Sequence, residues 1–500
     1  MPKAPVKAIF LSLIIATVVV VSGAGAEDIK LPDMGSPADA MLSKNDEAQI
    51  GRAIMRDIRS SGQVVEDPLV NEYINEVGSK IAAQTNEGDH DFTFFVIKDQ
   101  RINAFALPGG YVGVHSALLE ATRSEDELAG VLAHEIAHVT QRHIARAVHA
   151  GSRQSILSTA MMLGAMLAGA AGAGADVMQA GMVVAQGSAA QQQINFTRSN
   201  EHEADRVGIA ALAGAGFDPY GMASFFDVLS RQNTRAPDER APEFLMTHPV
   251  TASRIAEARD RARNYPHIQS EDSISYGITK IRLTVSRFDT PKEAVAYFER
   301  TPYQDQNDLQ RYGRLLAYLR DGSYWKALDI VEYLADRNPD VIAYHIALGD
   351  TQMRLKRYDE AIDTFENAMD LFPRNVPVVV DYAEHLLELK QPAKAHRILL
   401  DLLNNVPPTP DQIRLIARAA SEAGENAESL YYLSEYRLMI GDLVGGISYL
   451  QQALRLPEIQ EIQRIRFEAR IDFIREFMSE EQLRRMQRNR SARKSARNTP

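Results

Sequence analysis

The chain contains no cysteine in 500 residues, so no disulfide can staple it and no lipid-modified cysteine can hold it to a membrane. Export is compatible with that composition but not demonstrated by it. Net positive charge is also missing: 55 basic against 66 acidic residues leave a formal charge of −11, which argues against nucleic acid as a partner. Long apolar runs are scarce. The one at the start, Ala8 to Val21, follows Lys3 and Lys7 and precedes Ala24-Gly25-Ala26, a pattern that reads as a secretory signal peptide, residues 1–26, cleaved near Ala26. A retained anchor is the alternative, but it needs about 20 apolar residues and this run is shorter. Losing residues 1–26 removes two lysines and no acid, which takes the formal charge to −13. Acidic residues are absent after Glu481, where Arg484, Arg485, Arg488, Arg490, Arg493, Lys494 and Arg497 gather. Residues 481–500 therefore read as a disordered basic tail, with contact to anionic lipid or an acidic surface as the lesser reading.

Histidine is sparse as well, 12 in the whole chain, and against that background His134-Glu135-Ile136-Ala137-His138 stands out. Two imidazoles four residues apart share one helical face and can bind one metal ion together, and a glutamate after the first is placed to take a proton from an attacking water. The context is helical: Ser124 followed by Glu127 is a capping-box signature, and Leu128, Val131, Leu132, Ala133, Ile136 and Val139 keep a helical apolar rhythm through the motif. Zinc hydrolysis is the chemistry this implies. The bland alternative is a helix carrying two structural histidines.

Catalytic zinc takes three protein ligands and leaves one position open. Glu201-His202-Glu203-Ala204-Asp205 offers the third. Glu201 and Asp205 are four apart on one face, so the first can reach the metal and the second a ligand imidazole. His202 and Glu203 lie on other faces. Taken alone this cluster would be a solvated helix start; its pairing with the upstream motif changes that.

His134-Glu135-x-x-His138 followed by Glu201-x-x-x-Asp205 resembles the HtpX/CAAX-prenyl-protease class of zinc peptidases. The signal peptide, the stretch from Asn103 to Tyr111, Thr247-His248-Pro249 and a helical-repeat tail are similar to periplasmic members of that class that take part in β-barrel assembly; the likeness spans residues 40 to 480. It implies one Zn2+ per chain on His134, His138 and Glu201, Glu135 as general base and Asp205 in support. It also implies unfolded or misassembled outer-membrane proteins as substrates, the outer-membrane insertion machinery as partner, and the periplasm as location. Membrane contact is at most peripheral in this reading.

The expected fold is an α+β zincin-like metallopeptidase domain, residues 27–265, followed by an all-α tetratricopeptide-repeat array, residues 275–480. Phe92 to Ile97 reads as a strand. Asn103 to Leu107 and Tyr111 to His115, joined by Pro108-Gly109-Gly110, read as a hairpin before the metal helix. Asn103, Ala104, Phe105 and Ala106 are the candidate edge for holding a substrate backbone by strand addition; an ordinary core hairpin is the alternative. Residues 154–175 carry no charge but consist largely of Ala, Gly, Ser and Met, and Asp176, Gln179 and Gln186 follow. They read as a weakly packed helical hairpin and lid, with membrane insertion as the rival. His248, just before a helix beginning near Ser253, is either a surface residue or a group over the open zinc position. Arg254 is a candidate oxyanion donor. His143 and His149, five and eleven residues beyond His138, miss the ligand face of a continued helix and are expected to face solvent.

Beyond residue 275 the chain repeats itself. Ala327, Ala361 and Ala395 recur every 34 residues, as do Pro339, Pro373 and Pro407, which is the tetratricopeptide period. Residues 342–375 form the best copy, 427–460 a further one and 275–308 a degenerate one with Ala294 and Phe298, while 410–426 looks irregular. The expectation is thus an exported zinc endopeptidase with a module that recruits protein. Two rivals stand beside it, a chaperone or assembly scaffold with repressed proteolysis and an integral membrane protease.

Overall fold

The computed structural model describes residues 42–85, 91–150, 188–235, 243–268, 271–476 and 478. The expected signal peptide, the 154–175 hairpin and the basic tail lie outside the described residues. Among those described, no helix is long and apolar enough to cross a membrane.

Two helices lead in. α1 (Lys44–Ser60) opens with a capping box in which Ser43 and Asp46 each accept from the other's backbone, and α2 (Pro68–Ala82) is capped by Asp67 with Pro68 in its first turn. The strands β1 (Thr93–Ile97), β2 (Ala104–Leu107) and β3 (Tyr111–His115) follow. The sheet order is β1-β3-β2, with β1 parallel and β2 antiparallel to β3. The hairpin expectation holds, and β2 lies at the edge.

The peptidase half continues through α3 (Ser116–Ala121), α4 (Glu125–Thr140), α5 (His143–Ala150), α6 (Ser188–Gly214), α7 (Gly221–Arg235), α8 (Glu243–Thr247) and α9 (Ala252–Ala262). α4 is the central rod. Its residues from Glu127 to Ala137 are all buried, because α2, α6, α7 and β2 pack around it. The fit is close enough to require glycine. A Cβ on Gly130 would lie 2.6 Å from the Met222 backbone nitrogen, and one on Gly208 would lie 3.0 Å from the Ala133 carbonyl oxygen. Ser124 caps α4 as expected, but Glu127 does not complete a capping box: its carboxylate accepts from the Arg123 backbone and from Ser224.

The second half is helical throughout: α10 (Ile274–Ser286), α11 (Pro291–Glu299), α12 (Asp308–Asp321), α13 (Tyr324–Arg337), α14 (Ile342–Arg354), α15 (Tyr358–Leu371), α16 (Val376–Glu388), α17 (Pro392–Asn405), α18 (Pro410–Glu422), α19 (Asn426–Met439), α20 (Leu443–Ala453) and α21 (Glu461–Glu476). The first helices of successive pairs start at 308, 342, 376 and 410 and the second at 324, 358, 392 and 426, an unbroken step of 34. Residues 410–426, expected to be irregular, are therefore in register: α18 begins with a Thr409–Gln412 capping box, and Ser429 takes the buried small-residue position of Ala327, Ala361 and Ala395. Its hydroxyl would be unsatisfied there, but it donates to the Ala417 carbonyl at 2.8 Å.

The array is joined to the peptidase by a polar seam. Glu125, at the start of α4, accepts from Tyr73 of α2 at 2.9 Å and from Ser273 at 2.7 Å, and its own N–H donates to Asp272 at 2.7 Å. Arg282 of α10 meets Asp67 at 2.6 Å, and Asn375 donates to Glu72 of α2 at 2.8 Å. Leu69 of α2 joins the array's apolar core.

The turns inside the repeats carry a conformational cost that sequence can relieve. Gly322, Lys356, Lys390 and Gly424, again 34 apart, all adopt the left-handed region, at φ of 80, 62, 59 and 86°. A side chain there costs about 1–2 kcal/mol, offset partly by the extra freedom glycine gives the unfolded chain. Lys356→Gly and Lys390→Gly should each stabilise the protein by about 0.5–1 kcal/mol in denaturant unfolding. Equal or lower stability in both variants would contradict this account of the turns.

Candidate metal centre

Four side chains from three parts of the peptidase half converge. His134 and His138 come from α4, Glu201 from α6 and His248 from the turn after α8, and their ligand atoms all lie within 4.8 Å of one another. His134 Nε2 is 3.0 Å from His138 Nε2 and 3.3 Å from His248 Nδ1. Glu201 lies 3.4 Å from each α4 imidazole and 3.1 Å from His248 Nδ1. Donors at about 2.0–2.1 Å from a tetrahedral ion are about 3.3 Å apart, so this spacing and this set of imidazole and carboxylate donors fit a zinc-type ion. Sequence spacing pointed to His134, His138 and Glu201, while His248 was either a surface residue or a group over the open zinc position; the fold brings all four together.

Glu135 stands beside the cluster. It is buried, its Oε1 has no hydrogen-bond partner in the structure, and that oxygen is 3.5 Å from His248 Nε2. An unsatisfied buried carboxylate oxygen marks a place where a polar group, such as a water or a substrate atom, belongs. Phe226 and Phe244 wall the other side of the His134 ring, with centroids 6.2 and 6.3 Å away.

The electrostatics are those of a cation site. Burial works against a charge on His134, but the Asp205 and Glu201 carboxylates outweigh it and raise its pKa to about 9. Burial lowers the pKa of His138 well below the usual imidazole value; the adjoining imidazoles reinforce that and Glu201 opposes it. Glu201 is nearly buried, which disfavours its charge, yet His248, His134 and His138 hold its pKa well below the usual carboxylate range.

Behind these residues are groups that orient them. Asp205 Oδ1 is 3.0 Å from His134 Nδ1, which turns Nε2 toward the cluster, although the contact lies off the N–H axis and leaves that nitrogen without a well-aligned hydrogen bond. Arg254 forks onto Asp205 at 2.8 and 2.7 Å and reaches Glu201 and the Pro249 carbonyl at 2.8 and 2.9 Å. Sequence offered Arg254 as an oxyanion donor; the structure commits its fork to carboxylates behind the cluster. His202, the rival to Glu201, points away and pairs with Glu257 at 2.8 Å.

Two expectations need correction or further comment. His143 does not face solvent: it is buried, its Nδ1 lies 2.8 Å from His138 Nδ1 and its Nε2 lies 3.2 Å from Glu203. The reason is that α4 does not continue. It stops at Thr140, and Arg142 takes a left-handed φ of 53°, which folds the chain back. Helical periodicity could not signal that break, and no local motif marks it. The side chain of His149 lies outside the described residues. The edge-strand candidates are in place beside α4, with Asn103 and Ala104 buried and Phe105 and Ala106 half-buried.

Residues 68–262, which contain every member of the cluster, match the model of Peptidase family M48, and residues 353–419 match Tetratricopeptide repeat. A Vibrio cholerae relative is 36% identical over 451 residues, covering 89% of this chain and 92% of its own length. The beta-barrel assembly-enhancing protease of Escherichia coli is 34% identical over 454 residues, covering 89% of this chain and 91% of its own. The chain belongs to this family. It is an M48 peptidase domain followed by tetratricopeptide repeats. Kinship narrows beyond that branch: Metalloprotease LoiP of Escherichia coli is 25% identical and covers only 39% of this chain.

The ligand set gives a direct test. Metal analysis of the mature chain should find about one zinc per chain, kept by His202→Ala and lost, or bound at least about tenfold more weakly, by Glu201→Gln. Zinc lost with the histidine and kept with the glutamine would overturn the choice of third ligand.

Proposed function

We propose that this chain is a periplasmic zinc endopeptidase that acts on misfolded or stalled outer-membrane proteins, with a repeat array that recruits or orients them and aids assembly. The observation that carries the proposal is the convergence of His134, His138, Glu201 and His248, with ligand atoms within 4.8 Å of one another, beside Glu135. The name of the Escherichia coli relative supports the substrate class. The leader read in residues 1–26 supports export.

In this reading His134, His138 and Glu201 hold the ion. When bound, it lowers the pKa of water and polarises the scissile carbonyl. Glu135 takes the proton of the attacking water and passes it to the departing amine, and its unsatisfied oxygen is suited to that exchange. Asp205 and Arg254 keep His134 and Glu201 oriented. Asn103, Ala104, Phe105 and Ala106 offer β2 to the substrate backbone as an added strand.

His248 governs access. Its Nδ1 stands with the other three donors, at the position that water or a substrate carbonyl must take, and its Nε2 faces Glu135. An imidazole there blocks the site until the turn moves, which restrains an enzyme exposed to unfolded chains. This arrangement also favours a second reading, in which binding by the array is the main work and cleavage is held in reserve.

Cleavage of a misfolded outer-membrane protein by the mature chain, Glu135→Gln and His248→Ala separates these outcomes. Glu135→Gln should lose at least about a hundredfold in turnover with zinc retained, whereas His248→Ala should cleave faster, itself included, at nearly unchanged zinc content. Turnover that falls in His248→Ala would make the imidazole an electrophile of the reaction, and unchanged turnover would leave it without a role. A Glu135→Gln protein that still cleaves would sink the mechanism, and one that cannot cleave yet restores assembly would favour the second reading.

A further inference from the structure

We infer that His143 is a positioning residue for the metal centre, which fixes the ring and tautomer of His138 and couples it to the Glu203–Arg146 ion pair. The inference rests on the proposed zinc site. Its starting point is a short contact between two imidazole nitrogens: His138 Nδ1 and His143 Nδ1 are 2.8 Å apart, so one must carry the proton and the other must accept it. The chain beyond decides which. His143 Nε2 lies 3.2 Å from Glu203 Oε2, and that oxygen also accepts from Arg146 Nη1 at 2.7 Å. The carboxylate can only accept, so His143 keeps its proton on Nε2 and presents the bare Nδ1 to His138. His138 must then carry its proton on Nδ1. Its Nε2, 3.4 Å from Glu201, is left unprotonated and free to ligate.

The same logic supports the other ligand. His134 Nδ1 faces Asp205, which Arg254 holds with two hydrogen bonds. Each α4 imidazole is thus backed by a carboxylate and an arginine, directly for His134 and through one intervening ring for His138. Ligand histidines commonly need such a partner to set orientation and tautomer. For His138 the sequence-adjacent groups cannot supply one, since residues five apart on a continuous helix lie about 140° from each other. The break after α4 solves this. Arg142 in the left-handed region costs about 1–2 kcal/mol, and its guanidinium is anchored to the Leu42 carbonyl at 2.9 Å and to Glu47 at 3.2 Å. The anchored turn returns His143, which is 4% exposed, to the back of His138.

The test uses the full mature chain with His143→Phe, which keeps a planar ring and removes the acceptor, and His143→Asn, whose Oδ1 can take the place of Nδ1. Zinc affinity by chelator competition, the visible spectrum of the cobalt-substituted protein, melting of the metal-stripped protein, and kcat with KM are read together. His143→Phe should bind zinc about 10–100-fold more weakly, change the cobalt spectrum and lower kcat at unchanged KM, while the metal-stripped protein melts as the wild type does. His143→Asn should recover most of the affinity. The inference fails if His143→Phe binds zinc as tightly as a zinc-loaded wild type, if His143→Asn is as weak as His143→Phe, or if the metal-stripped phenylalanine variant melts far lower, which would reveal a packing role. A wild-type chain that takes up no zinc would instead overturn the zinc reading beneath it.

Discussion

Glu201 is a carboxylate only 4% exposed to solvent, and leaving such a charge unpaired would cost several kcal/mol. Positive or proton-donating groups must therefore be held around it on every side. Three imidazoles and the Arg254 guanidinium meet that demand from α4, from the turn after α8 and from α9. The rest of the peptidase half follows from bringing those elements within a few ångströms. α4 is buried along most of its length, so its apolar residues pack outward while its motif faces the cluster. The bare backbones at Gly130 and Gly208 let α7 and α6 close on it. A divalent ion on the same atoms would serve the same electrostatic need with better geometry, which is why the cluster reads as a metal centre and not as a buried salt-bridge network.

Much of this was legible in the chain. Two imidazoles at a four-residue spacing and two carboxylates at the same spacing each define one face of a helix, and faces are what periodicity reports. The repeat array was legible for a related reason, since buried alanines recurring every 34 residues reflect the same packing solution used again. What escaped depended on tertiary clamps. His143 was placed by extending the α4 wheel through a turn that Arg142 breaks, and the groups that hold that turn, Leu42 and Glu47, lie about a hundred residues upstream. The role of Arg254 turned on a carboxylate 49 residues earlier in the chain. Residues 410–426 looked irregular, yet Pro410 opens α18 in its first turn and the pair fits the period once Ser429 is accepted as a small buried residue.

The two halves share more than a linker. Glu125 opens the metal helix and is bonded both to Tyr73 of α2 and to Ser273, the cap of the array's first helix. α2 in turn carries Asp67, Leu69 and Glu72 into contact with α10, the array's apolar core and the start of α16. Polar seams of this kind give orientation more than stability, because exchange with water offsets much of each bond. The seam thus reaches the N-terminus of α4, the same helix that carries His134 and His138.

The central claim is that His134, His138, Glu201 and His248 together surround one metal ion in the resting protein. X-ray absorption at the zinc edge of the mature, zinc-loaded chain addresses this most directly. The account predicts a four-coordinate shell of nitrogen and oxygen at about 2.0–2.1 Å with the outer-shell scattering of three imidazoles, falling to two in His248→Ala. A wild-type spectrum already showing two imidazoles, unchanged by that substitution, would contradict it.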